Sequence, residues 1–316
     1  MPVALKKGKN GVNLLYAGIS EMSSFLKEIF MAYRIVTDSG CDLPIRMMEE
    51  LNLIYAPLSV NFKGETVSRY SEEWLKEVFD GLRAGEVATT SAVNPQGWED
   101  VIVPVLEAGE DALVLTFSSG LSATYQSAVI AAEELKEKYP DRTVNVVDTL
   151  CASLGQGLLV YYACQKRDEG MSLEELTAWC EDRKQNLCHW FTVDDLQYLK
   201  RGGRISAATA LVGTMLQIKP VLHADENGKL VNMGKTRGRK AAIGELAKKL
   251  GELGLPGEND TVYICHGDCM EDAKYLESLV KEKYGVKNVF IYYVGAVIGS
   301  HSGPGTLALF FMGKQR

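Results

Sequence analysis

The stretch DALVLTFSSGLSATYQSAVIAAEELKEKY, residues 111–139, reads in three parts. A short apolar run, DALVLTF, is the length of a buried strand. A polar loop of serines and glycine follows. The rest carries apolar residues at helical spacing and ends in charged residues, so it reads as an amphipathic helix. Outward from it the pattern repeats. Upstream, YRIVTDSGCDLP is a strand that breaks into a polar turn. Downstream, TVNVVDT is a strand, and SLGQGLLVYYACQKRDEG is a helix ended by Gly170. SLEELTAWCEDRKQNL is a further helix, with Ser172 as N-cap and Glu175 three residues on. Strands and helices alternating at these lengths predict an α/β fold whose N-terminal domain has a mainly parallel sheet.

The pattern changes after about residue 185. Strand pieces are joined there by glycine-containing turns, and Asp225–Gly228 is a hairpin signal. We therefore expect two α/β domains with a cleft between them, residues 31–180 and 181–316. Residues 1–30 differ from the rest and read as an N-terminal extension or a misassigned start. The stretch VGAVIGSHSGPGTL, residues 294–307, reads as a strand running into a glycine-rich loop that carries His301.

The composition is that of a soluble globular protein, and 316 residues suffice for two cores. A net charge of −7 argues against a nucleic-acid partner. No apolar run approaches the ~18 residues of a membrane span, so stable membrane insertion is not expected. The seven cysteines form no Cys-x-x-Cys pair and lie mostly in apolar segments. That fits a reducing, cytoplasmic setting without disulfides or a zinc site.

Ligands of open α/β sheets bind beyond the carboxyl ends of strands. Asp38, Ser39, Thr90, Ser91, Ser118, Ser119, Asp148, His301 and Ser302 fall at such places. Serine and threonine there are also ordinary helix caps, and a lone histidine is often structural. It is the convergence of several such loops that points to a site. The loop 117–123 also opens a helix, whose positive end suits an anion. LKRGGRIS (199–206) and GKTRGRK (234–240) are basic turns, either solvated or in contact with an anion or partner. A P-loop is excluded, because position 229 is Lys where its first glycine belongs. A serine hydrolase built on His301 is the alternative reading, and the missing Gly-x-Ser-x-Gly elbow weighs against it. No cluster with metal-ligand spacing is present.

VTDSGCDLP, TTSAVNP, FSSGLSATYQSA, VVDTLCASLGQG, FTVDDLQYLKRGGRIS, IKPVLHADENGKL and GAVIGSHSGPG occur in this order. Together they resemble the DegV family of bacterial fatty-acid-binding proteins, from about Tyr33 to Gly313. The resemblance implies a non-enzymatic carrier with a long-chain fatty acid buried between two α/β domains, its tail in the first, and no cofactor. It implies that Thr90 with Ser91, and serines of SSGLS (Ser118, Ser119, Ser122), hold the carboxylate, and that His301 and Ser302 join them. It further implies a partner, the ATP-using subunit of a fatty acid kinase, that makes an acyl phosphate for phospholipid metabolism. Arg204 and Arg237 match family arginines linked to that kinase and to phosphate. Ala123, Cys41 and Ala92–Asn94 depart from the usual family residues and put the shape of the pocket mouth in question.

The physics of such a ligand is simple. Each buried CH₂ contributes about 0.8 kcal/mol, so roughly a dozen supply on the order of 10 kcal/mol before association costs. The head then needs only a few donors, so that no carboxylate is buried unpaired.

Overall fold

A computed structural model of the chain describes residues 33–69, 71–205 and 217–316. The expected N-terminal extension and Ser206 lie outside these. The strands are β1 (Tyr33–Asp38), β2 (Ile54–Ala56), β3 (Ser59–Phe62), β4 (Glu65–Val67), β5 (Thr89–Ser91), β6 (Asp111–Thr116), β7 (Val144–Asp148), β8 (Leu187–Thr192), β9 (Ile218–Ala224), β10 (Leu230–Arg237), β11 (Thr261–His266), β12 (Asn288–Tyr293) and β13 (Leu307–Met312). The helices are α1 (Ile45–Glu50), α2 (Glu72–Arg83), α3 (Pro95–Glu107), α4 (Thr124–Lys138), α5 (Leu154–Asp168), α6 (Leu173–Arg183), α7 (Gln197–Arg201), α8 (Arg239–Leu253), α9 (Met270–Tyr284) and α10 (Ala296–Ser302).

The mixed α/β architecture is as the sequence predicts. A four-stranded sheet of order β2-β1-β6-β7 is parallel throughout. Its central strands β1 and β6 are buried, as parallel strands covered on both faces must be, while the edge strands β2 and β7 are mostly half-buried. A six-stranded sheet, β10-β9-β8-β13-β11-β12, is antiparallel except for β11 and β12. The Asp225–Gly228 turn joins β9 to β10 as expected. Ser172 and Glu175 form the capping box that opens α6. A small antiparallel sheet, β4-β3-β5, completes the topology and had no reading in the sequence.

The switch of sheets falls between β7 and β8. Helix α5 packs against β8, β11 and β13 of the second sheet and against the turn after β1 of the first. One apolar core therefore runs through both halves, from Ile35 and Leu113 to Tyr263 and Phe310. Polar ties also cross between them. Arg83 of α2 donates to the Asp268 side chain and, at 3.0 Å, to its carbonyl; Tyr198 donates to the Leu82 carbonyl at 2.7 Å.

The segment after β12 differs from its expected form. Residues 296–302 are a short helix, α10, with His301 in its last turn. The strand stops at Tyr293, and only Gly303 onward is loop, with Gly303 and Gly305 at positive φ. Small residues hide this helix in the sequence. The Cβ of a side chain at Gly299 would stand 2.8 Å from the Phe79 ring, so only glycine lets α10 pack so closely on α2.

Candidate functional site

The carboxyl ends of β1, β6 and β7 share one edge, and their polar residues first satisfy one another. Asp38 accepts the N–H groups of Gly40 and Phe117 at 2.9 and 2.7 Å. Asp148 accepts those of Ser119 and Leu150, both at 3.1 Å. Ser39 accepts the Leu58 N–H at 2.9 Å. The capping role open to these residues is the one they take.

Behind this edge lies a cavity of about 260 Å³ between the two sheets. Helix α10 forms one long wall. Val297, Ile298, His301 and Ser302 of the helix line it, at i, i+1, i+4 and i+5, and Val294 just before the helix continues the wall. The cavity therefore runs along the helix. Phe117, Leu121, Leu199, Phe191 and Phe310 add to its apolar lining.

Polar groups gather at the carboxyl end of α10. Thr90 Oγ1 and His301 Nε2 are 2.8 Å apart, across 211 residues of chain. Ser91, Ser122, Ser302 and Arg204 line the same cavity. Ser302 is 5 % exposed, and its Oγ has no partner among the described residues. Ser122 accepts the Thr124 N–H at the start of the fifteen-residue helix α4, whose positive end faces this region. Arg204 is half-buried and donates through Nε to the Leu121 carbonyl at 3.1 Å. The LKRGG turn fits over the histidine because Gly202 has no side chain; a Cβ there would stand 2.3 Å from His301 Nδ1. Burial, with help from Arg204 and Arg201, pulls the His301 pKa down to about 4. The imidazole is neutral at pH 7, with one nitrogen able to donate and the other to accept.

The expected residues divide. Thr90, Ser91, Ser122, His301 and Ser302 line the cavity; Ser118 and Ser119 do not. Ser118 Oγ donates to the Gly228 carbonyl at 2.9 Å and accepts the Gly120 N–H, so it latches the β6–α4 loop to the β9–β10 hairpin. The Ser119 side chain is exposed. Arg204, expected to serve a partner or phosphate, lines the cavity and brings a positive charge to it. Arg237 ends β10 with its side chain exposed. His266, at the end of β11, packs at a tilt on the Tyr293 ring with centroids 4.4 Å apart and accepts the Cys269 N–H.

Sequence reasoning passed over His189, Ser153 and Cys265, which also line the cavity. His189 sits mid-strand and spends both nitrogens on the backbone, at Ala152 N and Leu187 O. No local signal marks it. The hydrolase alternative finds no support here: among the described residues, the histidine in the cavity mouth is paired with threonine and not with serine. Nor is there a metal-binding cluster among them, or a helix long and apolar enough to cross a membrane.

Comparison with known proteins places this architecture. The family model described as "Uncharacterised protein, DegV family" matches residues 32–314. A DegV domain-containing protein of Clostridium perfringens is 45% identical over 284 residues, covering 89% of this chain and 98% of its own. Among solved structures, a fatty-acid-binding DegV family protein from Thermus thermophilus is 35% identical with a TM-score of 0.80, covering 89% of this chain and 99% of its own. A DegV lipid binding protein from Thermotoga maritima is 32% identical with a TM-score of 0.78, covering 90% and 99%. On the extent of these matches, the chain belongs to the DegV family.

Proposed function

We propose that this protein binds a long-chain fatty acid, with its carboxylate at the carboxyl end of α10 and its tail along that helix. The observation that carries this reading is the polarity gradient of one cavity. Thr90, Ser122, His301, Ser302 and Arg204 stand at one end, and the rest of the wall is largely apolar. The unpartnered Ser302 hydroxyl supplies a donor, and Arg204 supplies the countercharge that a buried carboxylate requires. The relatives whose names specify fatty-acid or lipid binding support the same ligand class. Mass spectrometry of lipid extracted from natively purified protein tests it. Stoichiometric fatty acid is the expected result; another lipid class, or none after incubation with fatty acids, would refute it.

The protein is a carrier in this reading, and chemistry on the head group belongs to a partner. An ATP-using kinase would let a carboxylate oxygen attack the γ-phosphorus, releasing ADP and leaving an acyl phosphate in the cavity. Arg204 gives the cavity a positive group for such a product, and Arg201 and Arg237 are exposed positive groups open to a partner. Alanine at Arg237 should lower kinase turnover with loaded protein while leaving fatty-acid affinity unchanged. Alanine at Arg204 should lower both.

A further inference from the structure

Ser153 precedes α5 at its N-cap position, where a serine normally accepts an N–H of the first turn. It makes no such bond. Its backbone sits at φ 54°, ψ −147°, a region that non-glycine residues avoid, and its hydroxyl instead donates to Asp42 Oδ2 at 2.5 Å. Asp42 is buried and carries its own positive φ of 53°. The chain therefore holds two strained residues together to fix one hydroxyl on a cavity wall that is otherwise mostly apolar. With its proton committed to Asp42, Ser153 Oγ keeps acceptor capacity. The Cys265 thiol, a weak donor, lines the same stretch.

The position of this hydroxyl along the cavity can be read from α10. Asp42 abuts Gly295, at the amino end of α10, while His301 is six residues further on. That is about 9 Å along the axis. An extended chain advances roughly 1.2 Å per bond, as the ~3.5 Å per three-bond residue of a polypeptide shows, so about seven or eight bonds separate the head from Ser153.

We infer that the site takes mid-chain hydroxy fatty acids, the ligand hydroxyl donating to Ser153 Oγ at about the eighth or ninth carbon. The inference rests on the fatty-acid reading above and adds a second polar point to it. An octadecanoic acid with its hydroxyl towards the tail end must bury that group away from Ser153, against largely apolar wall.

The test is a set of direct titrations of the delipidated full chain with octadecanoic acid and with isomers hydroxylated near the head, at mid-chain and towards the tail end. The mid-chain isomer should bind at least as tightly as the parent acid and about tenfold more tightly than the tail-end isomer, the effect of one buried polar group left unpaired. Ser153→Ala should remove that advantage, so that the mid-chain and tail-end isomers bind alike. Equal affinities for the mid-chain and tail-end isomers in the wild-type chain would overturn the inference, whether or not the variant folds. Failure of every acid to bind would instead refute the fatty-acid reading itself.

Discussion

Among the described residues His301 has one hydrogen-bonding partner, Thr90, and two guanidinium groups, Arg204 and Arg201, near enough to oppose its charge. Both facts bear on what its replacement would do. The apolar tail dominates affinity, so His301→Ala should weaken fatty-acid binding by only about 1–3 kcal/mol, the cost of one unsatisfied buried partner. Thr90→Val should cost a similar amount, because it removes the hydroxyl and strands Nε2. The double variant should cost less than the two single losses summed, as residues in contact are not additive. Full additivity in a calorimetric titration would show that the pair does not act as a unit. The imidazole itself should titrate near pH 4 in the ligand-free protein, which an NMR titration reads directly. A midpoint at the ordinary 6.5 would mean that the ring is solvated and not held in the mouth.

At the scale of elements, two serines of one loop have separate tasks. Ser118 ties the loop before α4 to the turn between β9 and β10, whereas Ser122 faces the cavity. Ser118→Ala should therefore destabilise the fold by about 1–3 kcal/mol, since it orphans the Gly228 carbonyl in a buried site, and should spare ligand affinity. Ser122→Ala should lower ligand affinity, and it also removes the acceptor of the Thr124 N–H at the start of α4. Denaturant midpoints and fatty-acid titrations on both variants check this, and an affinity loss confined to Ser118→Ala would return that serine to the binding site. The same loop shows how far sequence carries. The strand 111–116 and the helix 124–138 are legible because apolar period and length mark them. Which hydroxyl points inward is not legible, since it depends on where the distant Gly228 carbonyl comes to rest. Helix α10 was misread for a related reason. Its run of valine, isoleucine and glycine suits a strand locally, and the close packing of Gly299 on Phe79 is a distant contact that no local pattern reveals. Arg204 reads as a surface charge beside two glycines, yet those glycines are what allow its turn to cover His301.

Over the whole molecule, the cavity walls come from both sheets and one apolar core crosses between them. Thermal unfolding should be a single transition that a saturating fatty acid moves upward as one; at a thousand times Kd the ligand adds about 4.1 kcal/mol. Two transitions, only one of them shifted, would show that the halves fold apart. The same burial sets the pH response. All four histidines of the chain are held below their ordinary range by burial: His223, His266 and His301 at about 4, and His189 well below 6.5. Each keeps a proton in the unfolded chain that the fold excludes, so each contributes stability that is present above about pH 6.5 and is lost as pH falls towards 4. Asp38 and Asp42 act oppositely. Burial lifts both to about 7, so the fold retains protons that the unfolded chain releases near 3.8. Their contribution is present below 3.8 and is lost as pH rises through 7. Between about pH 4.5 and 6 four groups oppose two, and unfolding takes up a net two protons. Stability should therefore decline on acidification from pH 6.5, with its maximum between about 6 and 7. Urea midpoints across this range give the slope. A midpoint that rises as pH falls from 6.5 to 5 would mean that the two aspartates outweigh the histidines, and that the cavity region carries more buried acid than the neutral imidazoles offset.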